Sequence, residues 1–186
     1  MVTAALAQRT YDLARLETDH PRMYTERWVL ALGVRASLVP GASMRLEVSA
    51  RYRAAKGGRI VETWVLTMPP SVSVADIDRV RHSTPDKTVT EEAALVVALA
   101  QVAEEHDLAF DEVTLAGEHG DYWLKTRDGQ PAGLLEVSGT NDSQRSVEAL
   151  FAEKRTQVLS NRSPRRCYVS VTAFPGAEGV CCCVRG

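Results

Sequence analysis

A mixed α/β (α+β) fold is what this sequence predicts: a β-sheet flanked by helices, with an antiparallel β-meander at the N-terminal end. Three observations carry that expectation. Met44 to Ala54 alternates Leu46, Val48, Ala50 and Tyr52 with Arg45, Glu47, Ser49, Arg51 and Arg53, the period of two that buries one face of an antiparallel strand. Two helix-length segments, residues 88–106 and 143–160, are separated and followed by short strand-like runs. From residue 88 onward the order is helix, strand, strand, strand, helix, strand, strand, which reads as a layered α/β arrangement.

Taken in order, residues 3–17 can form a short helix, with Leu6, Leu13 and Leu16 loosely on one side. Trp28 to Val39 reads as a first strand closed by Pro40-Gly41, and Met44 to Ala54 as a second. Lys56-Gly57-Gly58-Arg59 supplies a turn into a third strand, Ile60 to Met68, ended by Pro69-Pro70. These three strands make the meander and fill an N-terminal segment, residues 1–70. Residues 71–87 are a connector with a helical turn at Val74 to Arg81. Residues 88–186 form the α/β core, which can merge with the first segment into one compact domain. Thr88 to Glu91 has the capping-box spacing at the head of a helix reaching His106, with Leu95, Leu99 and Val102 on its core side. A strand near Glu112 to Leu115 and a hairpin over residues 120–139 follow. Gly139-Thr140-Asn141-Asp142 then provides turn and capping residues for the second long helix. Cys167 to Phe174 and Val180 to Val184 close the chain as strands.

Composition narrows the function classes. With 45% hydrophobic and 25% charged residues a core can form, and a net charge of −2 gives no global basic footprint for a dedicated nucleic-acid binder. A local one remains, because Lys154, Arg155, Arg162, Arg165 and Arg166 cluster within residues 154–166; a solvated helix face explains them equally well. The N-terminus lacks a basic segment followed by a long apolar run. No stretch approaches the roughly 18 apolar residues of a membrane span. The expected location is cytoplasmic. Cys181-Cys182-Cys183 lacks zinc-site spacing, and neighbouring strand residues point to opposite faces, so these thiols and Cys167 read as reduced residues of a half-buried strand.

Chemistry concentrates in GDYWLKTRDGQPAGLLEVSG, residues 120–139. Asp121 heads one strand and Glu136 sits inside the next, within Leu134-Leu135-Glu136-Val137. A lone buried carboxylate is strongly unfavourable unless it is paired, hydrogen-bonded or metal-bound. Two carboxylates meeting on one sheet face, with water, suit a hard cation such as Mg²⁺. The second helix carries Val147, Leu150, Phe151 and Val158 on an apolar stripe, and Lys154 falls on it. An inward lysine needs a partner or must reach solvent, and Glu136 is the candidate partner. Gln157 lies one turn along. Competing readings stay open: Asp121 as a turn residue, Glu136–Lys154 as a structural ion pair, Glu91 and Glu92 as first-turn acids favoured by the helix dipole. His119 is an exposed loop residue or a neighbour of the acids. Asp19-His20 beside Arg22 has no nucleophile with it.

A helix, a strand headed by Asp, a hairpin into apolar-apolar-Glu-x-polar, then a helix and a strand resembles the PD-(D/E)xK restriction-endonuclease-like superfamily over residues 88–184. The resemblance implies a restriction-endonuclease-like core and Mg²⁺ (or Mn²⁺) held by Asp121 and Glu136, with Glu91 or Glu92 on the preceding helix completing the site. It implies a lysine two residues after the Glu; that position is Ser138, and Lys154 on the following helix stands where a migrated lysine can sit. The implied activity is Mg²⁺-dependent nuclease chemistry on nucleic-acid phosphodiesters, within a defence or processing assembly, with Arg155, Arg162, Arg165 and Arg166 along the backbone. The alternative is a catalytically degenerate nuclease-fold domain acting as an interaction or assembly subunit, docking a protein partner or a second copy through the meander's open edges.

Overall fold

The computed structural model describes residues 8–50, 60–115, 120–160 and 165–185. Their elements are β1 (Gln8–Asp12), a 3-10 turn (Leu13–Arg15) into the short α1 (Leu16–Asp19), α2 (Glu26–Arg35), β2 (Ser43–Ala50) and β3 (Ile60–Thr67). Then come α3 (Val74–Ser83), α4 (Asp86–His106), β4 (Leu108–Val113), β5 (Tyr122–Thr126), β6 (Pro131–Thr140), α5 (Val147–Leu159), β7 (Arg166–Ala173) and β8 (Glu178–Arg185). All eight strands belong to one mixed sheet in the order β1-β3-β2-β8-β7-β6-β5-β4. The fold is mixed α/β. No boundary interrupts the sheet between the N-terminal segment and the core, because β2 pairs in parallel with β8 over Glu47–Ser49.

The core half follows from the strand period. In β6, Leu134 packs with Phe151 and Val158 of α5, whereas Leu135 packs with Ala98 and Val102 of α4, so successive residues feed opposite layers. β6 and β7 run parallel, with α5 as the crossover that parallel neighbours need. α4 is buried almost all round, from Val89 to Ala103, because α2 packs on it from outside and the sheet from inside. Its alanines at 93, 94, 98, 100 and 103 allow that close approach on two sides. Gly139 marks the tightest point: a Cβ there would lie 2.7 Å from the Thr90 carbonyl oxygen.

Several local expectations are corrected. Trp28–Val39 is not a strand; α2 occupies most of it, since Val29, Leu32 and Gly33 bury one helical face. A short apolar run does not distinguish the two by periodicity alone. The three-stranded antiparallel meander is therefore replaced by antiparallel β2–β3 with β1 added in parallel to β3. The helix expected over residues 3–17 gives way to β1 at Gln8–Asp12, where long-range pairing with β3 overrides local propensity. The Thr88–Glu91 capping box is absent: α4 begins at Asp86 behind Pro85, with no side-chain cap. α5 is capped by Ser146, whose hydroxyl accepts from the Ala149 amide at 3.1 Å, four residues beyond the expected cap. β4 begins at Leu108, just after Asp107 turns the chain at a left-handed φ of 54°. The turn expected at residues 56–59 lies outside the described residues. No helix among the described residues is long and apolar enough to cross a membrane.

Candidate functional site

Asp121 is placed by its neighbours on both sides. Gly120 runs directly over Leu134, where a Cβ would come within 2.5 Å of the leucine side chain, so the chain can enter β5 only with glycine there. The Asp121 amide then donates to the Leu135 carbonyl at 3.0 Å. Its Oδ2 accepts from the Val137 amide at 2.7 Å, which locks the carboxylate against the middle of β6. Burial raises the Asp121 carboxyl above its ordinary range, while the Val137 amide and Lys154 hold it down.

Glu136 is fully buried, and Lys154 donates to its Oε1 at 2.6 Å. The same ammonium donates to Gln157 Oε1 at 3.1 Å, so the inward lysine and the polar residue one step along form a single network. Glu136 Oε2 is buried with no hydrogen-bond partner among the described residues. Burial pushes the Glu136 carboxyl up to about 7; the bond from Lys154 opposes the shift, and the nearby Asp121 charge adds to it. Asp121 thus adds to the upward shift of Glu136, while the acid that adds to the shift of Asp121 is Glu91.

An open cleft of about 780 Å³ lies where α4, β5, β6 and the start of α5 meet. Asp121, Tyr122, Val137 and Ser138 supply its strand wall, Glu91 its α4 side and Lys154 its α5 side. Glu136 lies just beneath this lining. The cleft is acidic: Asp86, Glu91, Asp121, Asp142 and Glu153 face Lys87, Arg145 and Lys154. Each of those cations is already engaged, Lys87 with Glu91 at 3.6 Å, Arg145 with Glu153 at 2.8 Å, and Lys154 with Glu136. Tyr122 reports the same negative field, its hydroxyl raised to about 12 by burial first and by Asp121, Glu91 and Glu136 after it.

The structure thus brings together Asp121, Glu136, Lys154 and Glu91, and separates the rest. Glu92, one residue on from Glu91, turns outward to Arg27 at 3.0 Å and does not line the cleft. Arg155 is exposed on α5 and also off the cleft. Arg166 opens β7 opposite Gly133, whereas the cleft takes residues 137–140 of β6, so Arg166 stands at the other end of the paired strands. Arg165 lays its guanidinium 5.0 Å from the ring centroid of Trp123. Arg162 and His119 lie outside the described residues. All four cysteines are thiols, with Cys167, Cys181 and Cys182 buried. Asp19 and His20 are structural: Tyr11 and Arg127 both donate to Asp19, and the His20 ring spans the Leu99 carbonyl and the Phe110 amide.

Sequence reasoning missed Tyr122, Arg145 and Glu153. Tyr122 could have been found as the neighbour of Asp121; Arg145 precedes the true start of α5, and Glu153 stands off its apolar stripe. Among the described residues, no group of three or more His, Cys, Asp or Glu side chains is gathered in a metal-binding arrangement. No family model, no curated protein and no solved structure matches the chain.

Proposed function

We propose that the protein is a divalent-cation-dependent nuclease of the PD-(D/E)xK kind, hydrolysing nucleic-acid phosphodiesters at the Asp121 cleft. One observation carries this reading: Asp121 lines an open cleft, its charge acts on Glu136 just beneath that lining, and Glu136 Oε2 has no hydrogen-bond partner among the described residues. The placement of Asp121 at the head of β5 and Glu136 inside β6, between α4 and α5, supports it further.

Two carboxylates fit Mg²⁺ or Mn²⁺, since such a cation keeps several waters and takes other ligands from substrate phosphate. Asp121 and Glu136 would hold it, with Glu91 facing them from α4. Bound there, the cation would polarise a phosphoryl oxygen and ease deprotonation of the attacking water. Lys154 favours the ionised Glu136 despite burial, and its ammonium is the group available to orient water or to stabilise charge at the phosphate. Ser138 is too short for that task. We place the protein in the cytoplasm, in keeping with its thiols, as part of a defence or nucleic-acid-processing assembly.

The Lys154–Glu136 contact itself favours a second reading: the same fold without chemistry, serving as an assembly subunit that docks a protein or a second copy. Calorimetric titration of Mg²⁺ and Mn²⁺ into the wild type, Asp121→Asn and Glu136→Gln separates the two. Binding abolished by both substitutions, together with cleavage of single- or double-stranded substrates by the wild type, is expected. Absence of both, with Glu136→Gln changing stability alone, leaves the second reading.

A further inference from the structure

Beyond the cleft, the α5 side of β5 continues away from Asp121. Residues two apart on a strand share a face about 7 Å along the chain, so Trp123 follows Asp121 on that side. Its ring packs at the edge of the cluster formed by Leu134, Phe151 and Val158, yet Trp123 stays half-exposed. Arg165, exposed just before β7, covers it at 5.0 Å in a cation–π arrangement. α5 packs on β6, β7 and β8, and its Lys154 and Gln157 form a hydrogen-bonded pair between the cleft and the later turns of the helix.

We propose that this strip is the path of a single nucleic-acid strand leaving the cleft, with Trp123 and Arg165 forming a platform on which an unpaired base stacks. The inference rests on the nuclease reading for its substrate class, and names which form of that substrate the surface takes. Indole and guanidinium are both flat, and stacking on either tolerates any base because every base has a π-face. A duplex keeps its bases paired and stacked, so it presents no free base face to Trp123 and Arg165 and gains nothing from the platform. Trp123 with Arg165 is a flat, cationic surface beside the cleft, with Trp123 on the same strand face as Asp121.

The test measures anisotropy of a fluorescein-labelled oligothymidylate, and of a blunt duplex of equal length, with Ca²⁺ present to hold cleavage off. Wild type should bind the single strand more tightly than the duplex. Trp123→Leu and Arg165→Ala should each weaken single-strand binding on the order of tenfold, the worth of one stacked base. Trp123→Phe, which keeps a ring, should lose little, and Arg79→Ala, an exposed arginine on α3, should lose nothing. Urea midpoints measured alongside identify any variant that fails to fold, and Arg165→Ala carries the test in that case. Duplex binding as tight as single-strand binding, or Trp123→Leu and Arg165→Ala without effect, overturns the proposal. A wild type that binds as expected but cleaves nothing with Mg²⁺ or Mn²⁺ keeps the platform and removes the nuclease. A wild type that cleaves while both platform variants keep its KM does the reverse.

Discussion

Replacing Lys154 by Met should destabilise the protein by an amount that grows with pH. In the wild type, Glu136 has no exposure and one of its oxygens is held by Lys154 at 2.6 Å. Its carboxyl titrates near 7, far above the usual value, because burial outweighs the lysine. Below pH 7 the glutamic acid is largely protonated in the fold, so Lys154→Met removes a hydrogen bond from a charged donor, worth about 1.5 kcal/mol. Above pH 7 the wild type carries a carboxylate stabilised by an ammonium. The variant must either bury an unpaired charge or take up a proton. Without the lysine its carboxyl moves still higher, so the loss should increase by about 1.4 kcal/mol for each further pH unit. By pH 8.5 the total reaches about 3 to 4 kcal/mol, the range seen when one partner of a buried pair is removed. Replacing both residues, Lys154→Met with Glu136→Leu, should recover most of that loss and flatten its pH dependence, since an apolar pair of similar volume leaves no charge behind. Urea denaturation at pH 6.0, 7.25 and 8.5 reads all three proteins. A loss that is the same at each pH, or a double variant no more stable at pH 8.5 than Lys154→Met, would refute an ionised buried pair.

Two further outcomes follow from His20, away from the cleft, and from Gly139 on its wall. His20 is wholly buried between the Leu99 carbonyl and the Phe110 amide, and burial lowers its pKa from 6.5 to about 4. A histidine depressed in the fold stabilises fully above pH 6.5 and loses that contribution as pH falls towards 4, by about 3 kcal/mol in all; urea midpoints of the wild type should show the fall and those of His20→Gln should lack it. Gly139→Ala would press a Cβ against the Thr90 carbonyl and Ala94, both on α4. The overpacking should cost about 1 to 3 kcal/mol in thermal or urea denaturation, and a variant within 0.5 kcal/mol of wild type would show that α4 gives way freely.

The site was more legible than the scaffold around it, for physical reasons. An acid inside Leu134-Leu135-Glu136-Val137 has few tolerable environments, and a lysine on the apolar stripe of α5 has few as well, so each pointed to the other. Sequence spacing could not choose between Glu91 and Glu92. They sit about 100° apart on one helix turn, and only the packing of α2 against α4 turns Glu92 to Arg27 and leaves Glu91 on the cleft. The α2 segment was misread because its apolar residues run together without a clear period. β1 was misread because its reason for being a strand lies more than fifty residues away, in the pairing of Gln8–Asp12 with Thr63–Thr67. The contact of Arg165 with Trp123 is also distant in sequence, and it depends on the Gly133–Arg166 and Leu134–Trp123 registers holding together across β6.

The unpartnered oxygen of Glu136 bears on the choice between a catalytic and a purely structural site. A fold that needed only an internal tie between β6 and α5 gains most when both carboxylate oxygens are satisfied, since a buried acceptor left alone costs about 1 to 3 kcal/mol. Here Lys154 takes Oε1, shares its remaining capacity with Gln157, and leaves Oε2 bare. The second acid, Asp121, approaches from β5 and makes the arrangement worse, because its charge raises the Glu136 carboxyl further. On the proposed reading both terms would change sign with a cation bound: Oε2 would gain a partner, and Asp121 would serve as a second ligand in place of a like charge. The ion pair need not break for this, because the lysine and the cation would use different oxygens. The proposed cation site would therefore show divalent-ion affinity rising with pH through about 7, as Glu136 gives up its proton, and a pair that is structural alone has no reason to follow that curve.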